Sequence, residues 1–320
     1  MGTSRRLFST CFARSHDNPL GLPRRPGPLP QIPRRNAPIQ KRPIPNVSKV
    51  LAVASGKGGV GKSTIAVNLA FALAMHQIPG SQRKPRVGVL DLDIFGPSVP
   101  KLMGLESAHE PRLTQKGAIV PLVNHALQCM SMGFLLRRSA DGQTKVDTAV
   151  VWRGLMVQKA VQQLLFDVDW RGDNESEPGL DVLVIDMPPG TGDVPLTLGQ
   201  LVKVDGAVIV STPQDVAISD VRKGVSMFKK VDVPITGLIL NTSHFICRNC
   251  ATPHYIFGSP KSFHETASQV GAKVLGELPL VGGVSEASDH GVPYMLVGEG
   301  NQEWKGTMSR IAGEVWDSLH

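Results

Sequence analysis

The feature that most constrains this chain is a glycine-rich segment that fits the pattern G-x-x-x-x-G-K-[ST], Gly56-Lys57-Gly58-Gly59-Val60-Gly61-Lys62-Ser63. The apolar run 49–55 before it is typical of a buried strand, and residues 62–76 after it have the spacing of an amphipathic helix. Glycines let the backbone curl so that several N–H groups converge on phosphate oxygens, and the helix N-terminus adds positive potential. The segment in this context predicts a phosphate-binding loop.

The side chains of this loop indicate a nucleotide and a metal ion. Lys62 is expected to bring its charge to the β- and γ-phosphates, and the Ser63 hydroxyl is expected to ligate Mg²⁺. Thr64 follows at the start of the helix. Lys57 is a second cation inside the loop, and a second cation near a γ-phosphate can stabilise charge during phosphoryl transfer. The predicted cofactors are therefore ATP and Mg²⁺.

Apolar strand-like runs alternate with helical patterns along the rest of the chain. Strands are predicted at 49–55, 86–93, 180–186, 206–212, 235–241 and 273–278, and helices at 62–76, 154–166, about 195–203, 215–230, about 260–270 and about 303–318. This alternation predicts an α/β, doubly wound fold with a mostly parallel sheet and helices on both faces. Ligands of such sheets bind at the carboxyl ends of the strands.

Aspartates stand at two of these strand ends. Asp91 and Asp93 close the strand 86–93, and Asp186 closes the strand 180–186. A strand-end aspartate can simply cap the next loop. Two such ends beside a phosphate-binding loop favour a metal role instead, so Asp186 is predicted to hold Mg²⁺ through water.

The basic excess of the chain is confined to its N-terminal segment. Residues 1–47 carry nine of the 34 basic side chains and one of the 27 acidic ones, which leaves a net charge of −1 for the remainder. That near-neutral body argues against nucleic-acid binding. Residues 1–17 have the composition of a mitochondrial transit peptide, and the Pro- and Arg-rich 18–47 are expected to be an extended linker. The predicted location is the mitochondrial matrix, with an ATPase domain at 48–320.

A C-x-x-C pair, Cys247 and Cys250, follows a predicted strand. Such a pair can be a redox site, half a zinc site, half an iron–sulfur site or two thiols without a function. The redox interpretation requires a thioredoxin-like fold, which is not predicted. Two chains related by a twofold axis would bring together four thiolates, which suit zinc and a [4Fe–4S] cluster equally well. The flanking His244 and His254 could be further ligands, but a structural polar role is more common for such residues and is the interpretation adopted. Cys129 is interpreted as a buried core thiol.

Longer segments narrow the choice to one family. The string S-G-K-G-G-V-G-K-S-T resembles the deviant Walker-A ATPases, which include the MinD and ParA proteins, the nitrogenase iron protein and the Mrp/ApbC scaffolds. Segments 91–104, 186–200 and 211–228 resemble the Mrp/ApbC branch in particular. The basic N-terminal segment points to the mitochondrial members of that branch, which serve the assembly of respiratory complex I.

This resemblance implies roles for individual residues of the nucleotide site. Lys57 is implied to reach the nucleotide of the second subunit, and Asp93 to position the attacking water. Asp91 is implied to help organise the metal. The family usually has a glutamate where this chain has Leu240, but the following Asn241 remains, and it is implied to hydrogen-bond the adenine.

The resemblance also decides between the metals, because it implies that Cys247 and Cys250 hold a [4Fe–4S] cluster shared across a homodimer. The predicted function is an ATP-binding carrier, with slow hydrolysis, that delivers clusters to mitochondrial apo-proteins such as complex I subunits. A MinD- or ParA-like positioning ATPase and a nitrogenase-like reductase are the alternatives. The apolar stripe of the last helix is interpreted as packing on the body, with at most peripheral membrane contact.

Overall fold

Buried apolar strands form the centre of the computed structural model, which describes residues 40–78, 80–94, 96–135, 154–172, 176–247 and 249–320. The strands are β1 Val47–Ser55, β2 Val87–Asp91, β3 Leu122–Asn124, β4 Leu127–Ser131, β5 Leu180–Asp186, β6 Gly206–Ser211, β7 Ile235–Leu240, β8 Phe245–Ile246, β9 Pro253–His254 and β10 Val274–Glu277. The expected transit peptide at 1–17, residues 18–39 of the expected linker and Arg248 lie outside the described residues.

Eight of these strands form one sheet in the order β10-β7-β6-β1-β5-β2-β4-β3. All neighbours are parallel except β3 and β4, which are antiparallel. The remaining two, β8 and β9, pair with each other as a short antiparallel hairpin. The mostly parallel sheet is therefore confirmed.

Helices cover both faces of this sheet. They are α1 Lys62–Met75, α2 Val99–Leu102, α3 Gly154–Phe166, α4 Asp193–Leu201, α5 Asp215–Lys230, α6 Lys261–Val270, α7 Gly282–Asp289 and α8 Gln302–Leu319. Strands β2 and β6 are buried at every position. Successive side chains of a strand point to opposite faces, so this burial requires cover on both sides. Helix α1 packs against α8, and α5 packs against α6, which confirms the doubly wound α/β fold.

The strand register brings the predicted strand-end residues to one edge of the sheet. Asp91 of β2 lies beside Asp186 of β5 on one side and beside Ser131 of β4 on the other. Val53 of β1 also pairs with Asp186, and β1 runs on to Ser55 before the glycine-rich loop begins. The loop and both aspartates therefore share the carboxyl edge, where parallel sheets bind their ligands.

The domain begins earlier than the sequence predicts. Residues 40–46 belong to the expected linker, yet Ile44 is 1% exposed. The Arg42 N–H donates to the Leu201 carbonyl at 2.8 Å, and the Arg42 guanidinium lies 4.1 Å from the ring centre of Phe166. The sequence does not reveal that residues 40–46 belong to the domain, because the segment 18–47 is rich in proline and a single buried isoleucine produces no periodic pattern.

Helix α8 confirms the interpretation of its apolar stripe. All five residues of the stripe are buried: Trp304, Met308, Ile311, Val315 and Trp316. The Asn301 side chain caps the helix by accepting from the Trp304 N–H at 2.9 Å. None of the helices in the described part of the chain has the length and apolar character to cross a bilayer.

Candidate functional site

The glycine-rich loop has backbone torsions that depend on glycine at two positions. Gly59 and Gly61 have φ values of 79° and 84°, in the left-handed region, and Gly61 immediately precedes α1. A Cβ at Gly61 would also lie 2.4 Å from the amide nitrogen of Asn241. The loop is therefore folded tightly over the start of α1, which leaves the first N–H groups of the helix for a ligand.

Lys62 is buried at the base of this loop. It is 6% exposed, and its ammonium donates to the Asp186 carboxylate at 2.5 Å and to the Ser63 hydroxyl at 3.0 Å. Sequence motif and strand register thus bring together the lysine, the hydroxyl and the acid that were predicted separately. A phosphate entering the loop would meet a cation already held in place by a buried anion.

Asp186 has the properties expected of a residue that binds a further cation. Its side chain is 0% exposed, and Oδ2 has no hydrogen-bond partner among the described residues. Burial raises the pKa of Asp186, and the nearby Lys62 ammonium opposes that rise. An unpartnered, buried carboxylate oxygen beside the Ser63 hydroxyl offers the oxygen ligands that Mg²⁺ takes.

Asp91 holds the neighbouring loop in place. One carboxylate oxygen accepts from the Asp93 N–H at 2.9 Å, and the other accepts from the Val99 N–H at 3.2 Å and the Ser131 hydroxyl at 3.1 Å. Burial, followed by the charge of Asp186, raises the pKa of Asp91 to about 7. Because both oxygens already have partners, the geometry gives Asp91 a loop-organising role, and a metal role stays a prediction.

Asp93 and Lys57 are more accessible than these buried groups. Asp93 is half-buried, and its carboxylate accepts from the Gly96 N–H at 3.3 Å. Its charge reaches Asp186, whose pKa it helps to raise. Lys57 is exposed at the outer part of the loop. Both positions are compatible with the implied roles toward water and a second subunit, which remain predictions.

Asn241 makes a contact that the sequence does not reveal. It follows β7, and its amide nitrogen donates to the Val60 carbonyl in the phosphate-binding loop at 2.9 Å. Its backbone N–H donates to the Ser211 carbonyl at the end of β6. Strand order explains the proximity, since β7, β6 and β1 are neighbours. The implied adenine contact remains a prediction beside this one.

The two predicted cysteines lie on the hairpin of β8 and β9, at the surface. Cys247 is half-buried and Cys250 is exposed. The Cys247 N–H donates to the Thr252 carbonyl at 3.1 Å, and the Ala251 N–H donates back to the Cys247 carbonyl at 2.9 Å. Ala251 adopts a φ of 53°, which tightens the turn between the strands. Both thiols are thus fixed on a small loop that another molecule can reach.

The thiols of the chain differ in acidity because their surroundings differ. The pKa of Cys250 is lowered to about 6, mainly by hydrogen bonds from the hydroxyl and then the N–H of Thr252. Cys247 and His254 lower it further. Cys129 is 0% exposed, and burial raises the pKa of its thiol to about 12. Cys129 is a core residue, as predicted, while Cys250 has the thiolate character that metal binding requires.

The two histidines beside the cysteines have different surroundings. His244 is mostly buried and lies 2.9 Å from the Ser243 hydroxyl, so its interpretation as a structural residue agrees with the geometry. His254 is exposed, and its ring nitrogen lies within 4.8 Å of the sulfurs of Cys247 and Cys250. The sequence favours a structural role of His254 over a ligand role, and this proximity to both sulfurs was not predicted from the spacing C-x₂-C-x₃-H.

Two solved structures illustrate what this fold resembles. The nucleotide-binding protein from Archaeoglobus fulgidus, described in complex with ADP and with Co, is 33% identical. The comparison covers 78% of this chain and 88% of that one, with a TM-score of 0.61. MinD in the MinC:MinD complex of Aquifex aeolicus is 17% identical over 84% of this chain and 96% of that one, with a TM-score of 0.53. That second likeness shows the fold alone.

Relatives of known function are closer in sequence. The mouse protein named iron-sulfur cluster transfer protein NUBPL is 46% identical, and the alignment covers 89% of this chain and 82% of that protein. The Arabidopsis thaliana protein named iron-sulfur protein required for NADH dehydrogenase, mitochondrial, is also 46% identical, covering 80% and 74%. The family described as ParA, NUBPL iron-transfer P-loop NTPase, matches residues 46–316. This chain therefore belongs to the family of NUBPL iron-transfer P-loop NTPases.

Proposed function

We propose that this protein is a nucleotide-controlled carrier that holds a [4Fe–4S] cluster between two copies of the chain and gives it to apo-proteins. The observation that carries the proposal is the presence, in one domain, of an assembled phosphate site and an exposed C-x-x-C hairpin just beyond β7. The relatives named as iron–sulfur cluster transfer and carrier proteins support the same function.

The cluster is expected to lie on a twofold axis. One chain offers two clustered thiols, Cys247 and Cys250, and a cubane cluster takes about four. Two hairpins facing each other supply that number, and their surface position permits the approach. A site completed by a second chain opens when the two chains separate, which suits a cargo that must leave.

The nucleotide is expected to set the relation between the two chains. Lys62 and Ser63 would meet the phosphates, and Mg²⁺ would be held by Ser63 and, through water, by Asp186. Lys57 is exposed and would reach the nucleotide of the partner, while Asp93 would position the attacking water. The metal would supply charge neutralisation at the phosphates. ATP and ADP would favour different arrangements of the dimer, because only ATP has the γ-phosphate that Lys57 would approach.

The destination of the cluster is proposed from the relatives and from the N-terminal segment. The Arabidopsis relative is named as required for NADH dehydrogenase and as mitochondrial. Residues 1–17 have the composition of a transit peptide, so we place this protein in the mitochondrial matrix, with complex I subunits among its clients. A reporter fused to residues 1–47 should enter mitochondria; a cytosolic reporter would remove this part of the proposal.

Anaerobic reconstitution tests the carrier function directly. Purified protein should bind about four iron and four sulfide per dimer. The variants Cys247→Ala and Cys250→Ala should lose the cluster but keep ATP binding, since the phosphate site lies in another loop. Cys129→Ala is the matched control and should keep both. The loaded protein should then activate an apo-acceptor faster than free iron and sulfide do.

One result would overturn the carrier function. If the purified protein held one zinc per dimer and refused iron and sulfide under anaerobic conditions, the four thiolates would serve as a structural zinc site. The MinD-like positioning function would then explain the ATP site better. Cluster binding that survives the loss of Cys250 would contradict the assignment of the ligands.

A further inference from the structure

The hairpin that carries the C-x-x-C pair presents a third metal-binding side chain. His254 lies on β9 opposite Phe245 of β8, one residue pair away from the turn that carries the two cysteines. One ligand atom from each of Cys247, Cys250 and His254 lies within 4.8 Å of the other two. These residues form the one His, Cys, Asp or Glu group with metal-binding geometry among the residues the structure describes.

The backbone of the hairpin fixes this arrangement. The paired hydrogen bonds between Cys247 and the 251–252 turn close the loop, and the left-handed Ala251 reverses the chain within it. A ring nitrogen of His254 lies within 4.8 Å of the Cys250 sulfur. The three side chains therefore converge because of the turn, not because a neighbouring domain holds them.

The distances suit a tetrahedral ion after small rotations of the side chains. Bond lengths of about 2.3 Å to sulfur and about 2.0 Å to nitrogen place tetrahedral ligand atoms about 3.5–3.8 Å apart. Cys250 and His254 are exposed, so their side chains can close the remaining distance without disturbing the core. Two thiolates and an imidazole are the ligands that Zn²⁺ and Fe²⁺ take.

We propose that Cys247, Cys250 and His254 of a single chain form a three-ligand site for a divalent transition-metal ion, Zn²⁺ or Fe²⁺. The fourth position stays open to water or to an incoming thiolate. This site uses the same two thiols as the proposed cluster, but it needs neither the cluster nor a second chain. Each protomer would thus bind one ion, and pairing of the protomers would exchange His254 for the thiolates of the partner.

Cobalt titration of the full-length protein tests the stoichiometry. Co²⁺ gives visible absorption bands in tetrahedral sites and a thiolate charge-transfer band in the near ultraviolet. Wild-type protein should bind about one Co²⁺ per chain, with a paramagnetically shifted imidazole N–H signal from His254. Loss of an outer partner of a metal ligand costs 10–100-fold in affinity. Loss of the ligand itself, in His254→Ala, should cost about 100-fold or more.

Two further variants separate ligation from folding. His254→Cys keeps a ligand and should retain tight binding, with a stronger thiolate band. His264→Ala removes another exposed histidine, whose ring pairs with Glu277 on a different element, and should bind Co²⁺ like the wild type. Without metal, all variants should bind ATP like the metal-free wild type, because the hairpin is outside the phosphate site.

Two results would overturn the three-ligand site. One is a stoichiometry of one Co²⁺ per two chains in the wild type, and the other is unchanged affinity in His254→Ala. Cluster reconstitution on His254→Ala distinguishes this proposal from the carrier function. We expect it to give about four iron per dimer, because four thiolates remain. Wild-type protein that binds Co²⁺ per chain but takes no cluster would end the carrier function and leave this site standing.

Discussion

The phosphate site and the cysteine hairpin are built in opposite ways. Lys62 and Asp186 are buried; Asp186 is placed by the register of an eight-stranded sheet, and Lys62 by the start of α1 after the glycine-rich loop. Cys250 and His254 are exposed on a hairpin whose two strands have two residues each, with Cys250 in the turn and His254 on β9. The buried groups of the first site are in place before any ligand arrives, and the second site is completed by what binds to it. A rigid site suits a nucleotide that controls, whereas an open site suits a cargo that leaves.

Cysteine labelling should give the largest contrast between the interior and the hairpin. At pH 7, pKa values of about 6 for Cys250 and about 12 for Cys129 make the thiolate fraction of Cys250 about 10⁵-fold greater. Iodoacetamide labelling of the folded protein, read by peptide mass spectrometry, should modify Cys250 and spare Cys129. The Cys250 rate should rise through pH 6 and then level off.

Unfolded protein provides the control for this labelling, since both thiols should then react at similar rates. Equal labelling of Cys129 and Cys250 in the folded protein would mean that β4 opens to solvent. That outcome would remove the contrast between a closed sheet edge and an open hairpin.

Lys62→Ala should be the most damaging single change at the phosphate site. Removing one member of a buried ion pair costs about 3–5 kcal/mol, because Asp186 is left charged and buried. Tight ATP binding should be lost as well. Chemical denaturation and nucleotide titration measure both effects. Lys57→Ala is the matched control in the same loop, and as an exposed change it should alter stability by less than about 0.5 kcal/mol.

The loss of folding stability caused by Lys62→Ala should depend on pH. Without the ammonium, the folded-state pKa of Asp186 rises further above its unfolded-state value. The folded state then holds the proton more tightly, so stability is lost as the pH rises through the folded-state pKa. The variant should be closer to the wild type at pH 5 than at pH 8. A deficit that does not change with pH would contradict the ion pair.

Gly61→Ala should lower the folding stability by less than Lys62→Ala does, and for two reasons. A left-handed alanine costs about 1–2 kcal/mol, and its Cβ would also collide with the Asn241 amide. Gly117→Ala is the control, because Gly117 has a φ of 81° and no atom within 4 Å of an added Cβ. Gly61→Ala should be the more destabilising of the two in denaturant melts. Adding Asn241→Ala should remove the extra loss of stability that Gly61→Ala shows relative to Gly117→Ala. If the extra loss persists, the collision with Asn241 is not its cause.

The smallest effect on stability is expected at the hairpin. Cys250→Ser replaces an exposed side chain that packs against no core, so its unfolding curve should overlay that of the wild type. Metal and cluster binding should nevertheless be lost. A clear loss of stability in metal-free protein would show that the hairpin supports the fold, and the contrast between the two sites would weaken.

Most of the sheet and its helices could be predicted from the sequence. Predicted helices at 154–166 and 215–230 and the strand at 180–186 have the observed bounds, because long apolar periods dominate there. The short helix α7 and the hairpin strands were not predicted. Two-residue strands have no period to detect, and α7 buries no side chain, so it has no apolar stripe.

The site residues also differ in how far they could be predicted from the sequence. The phosphate loop was predictable because its motif is contiguous and its spacing has a direct physical meaning. The contacts of Asp91 with Ser131 and of Asn241 with Val60 join residues far apart in the chain. They depend on strand order, which a single sequence does not specify. His254 is the exception, since its spacing from Cys250 is local; from the sequence, a ligand role for it was considered and ranked below a structural one.

The bond from Asn241 to Val60 gives the two sites a direct physical connection through which they can be coupled. Asn241 touches the phosphate loop, and the chain then runs directly into the cysteine hairpin. If a nucleotide changes the affinity of the hairpin for its cargo by some factor, the cargo must change the affinity for that nucleotide by the same factor. In that case the protein with an empty hairpin and the protein with a filled hairpin would bind the same nucleotide with different affinities. The supply of iron would thereby set nucleotide occupancy, just as the nucleotide sets the loading of iron.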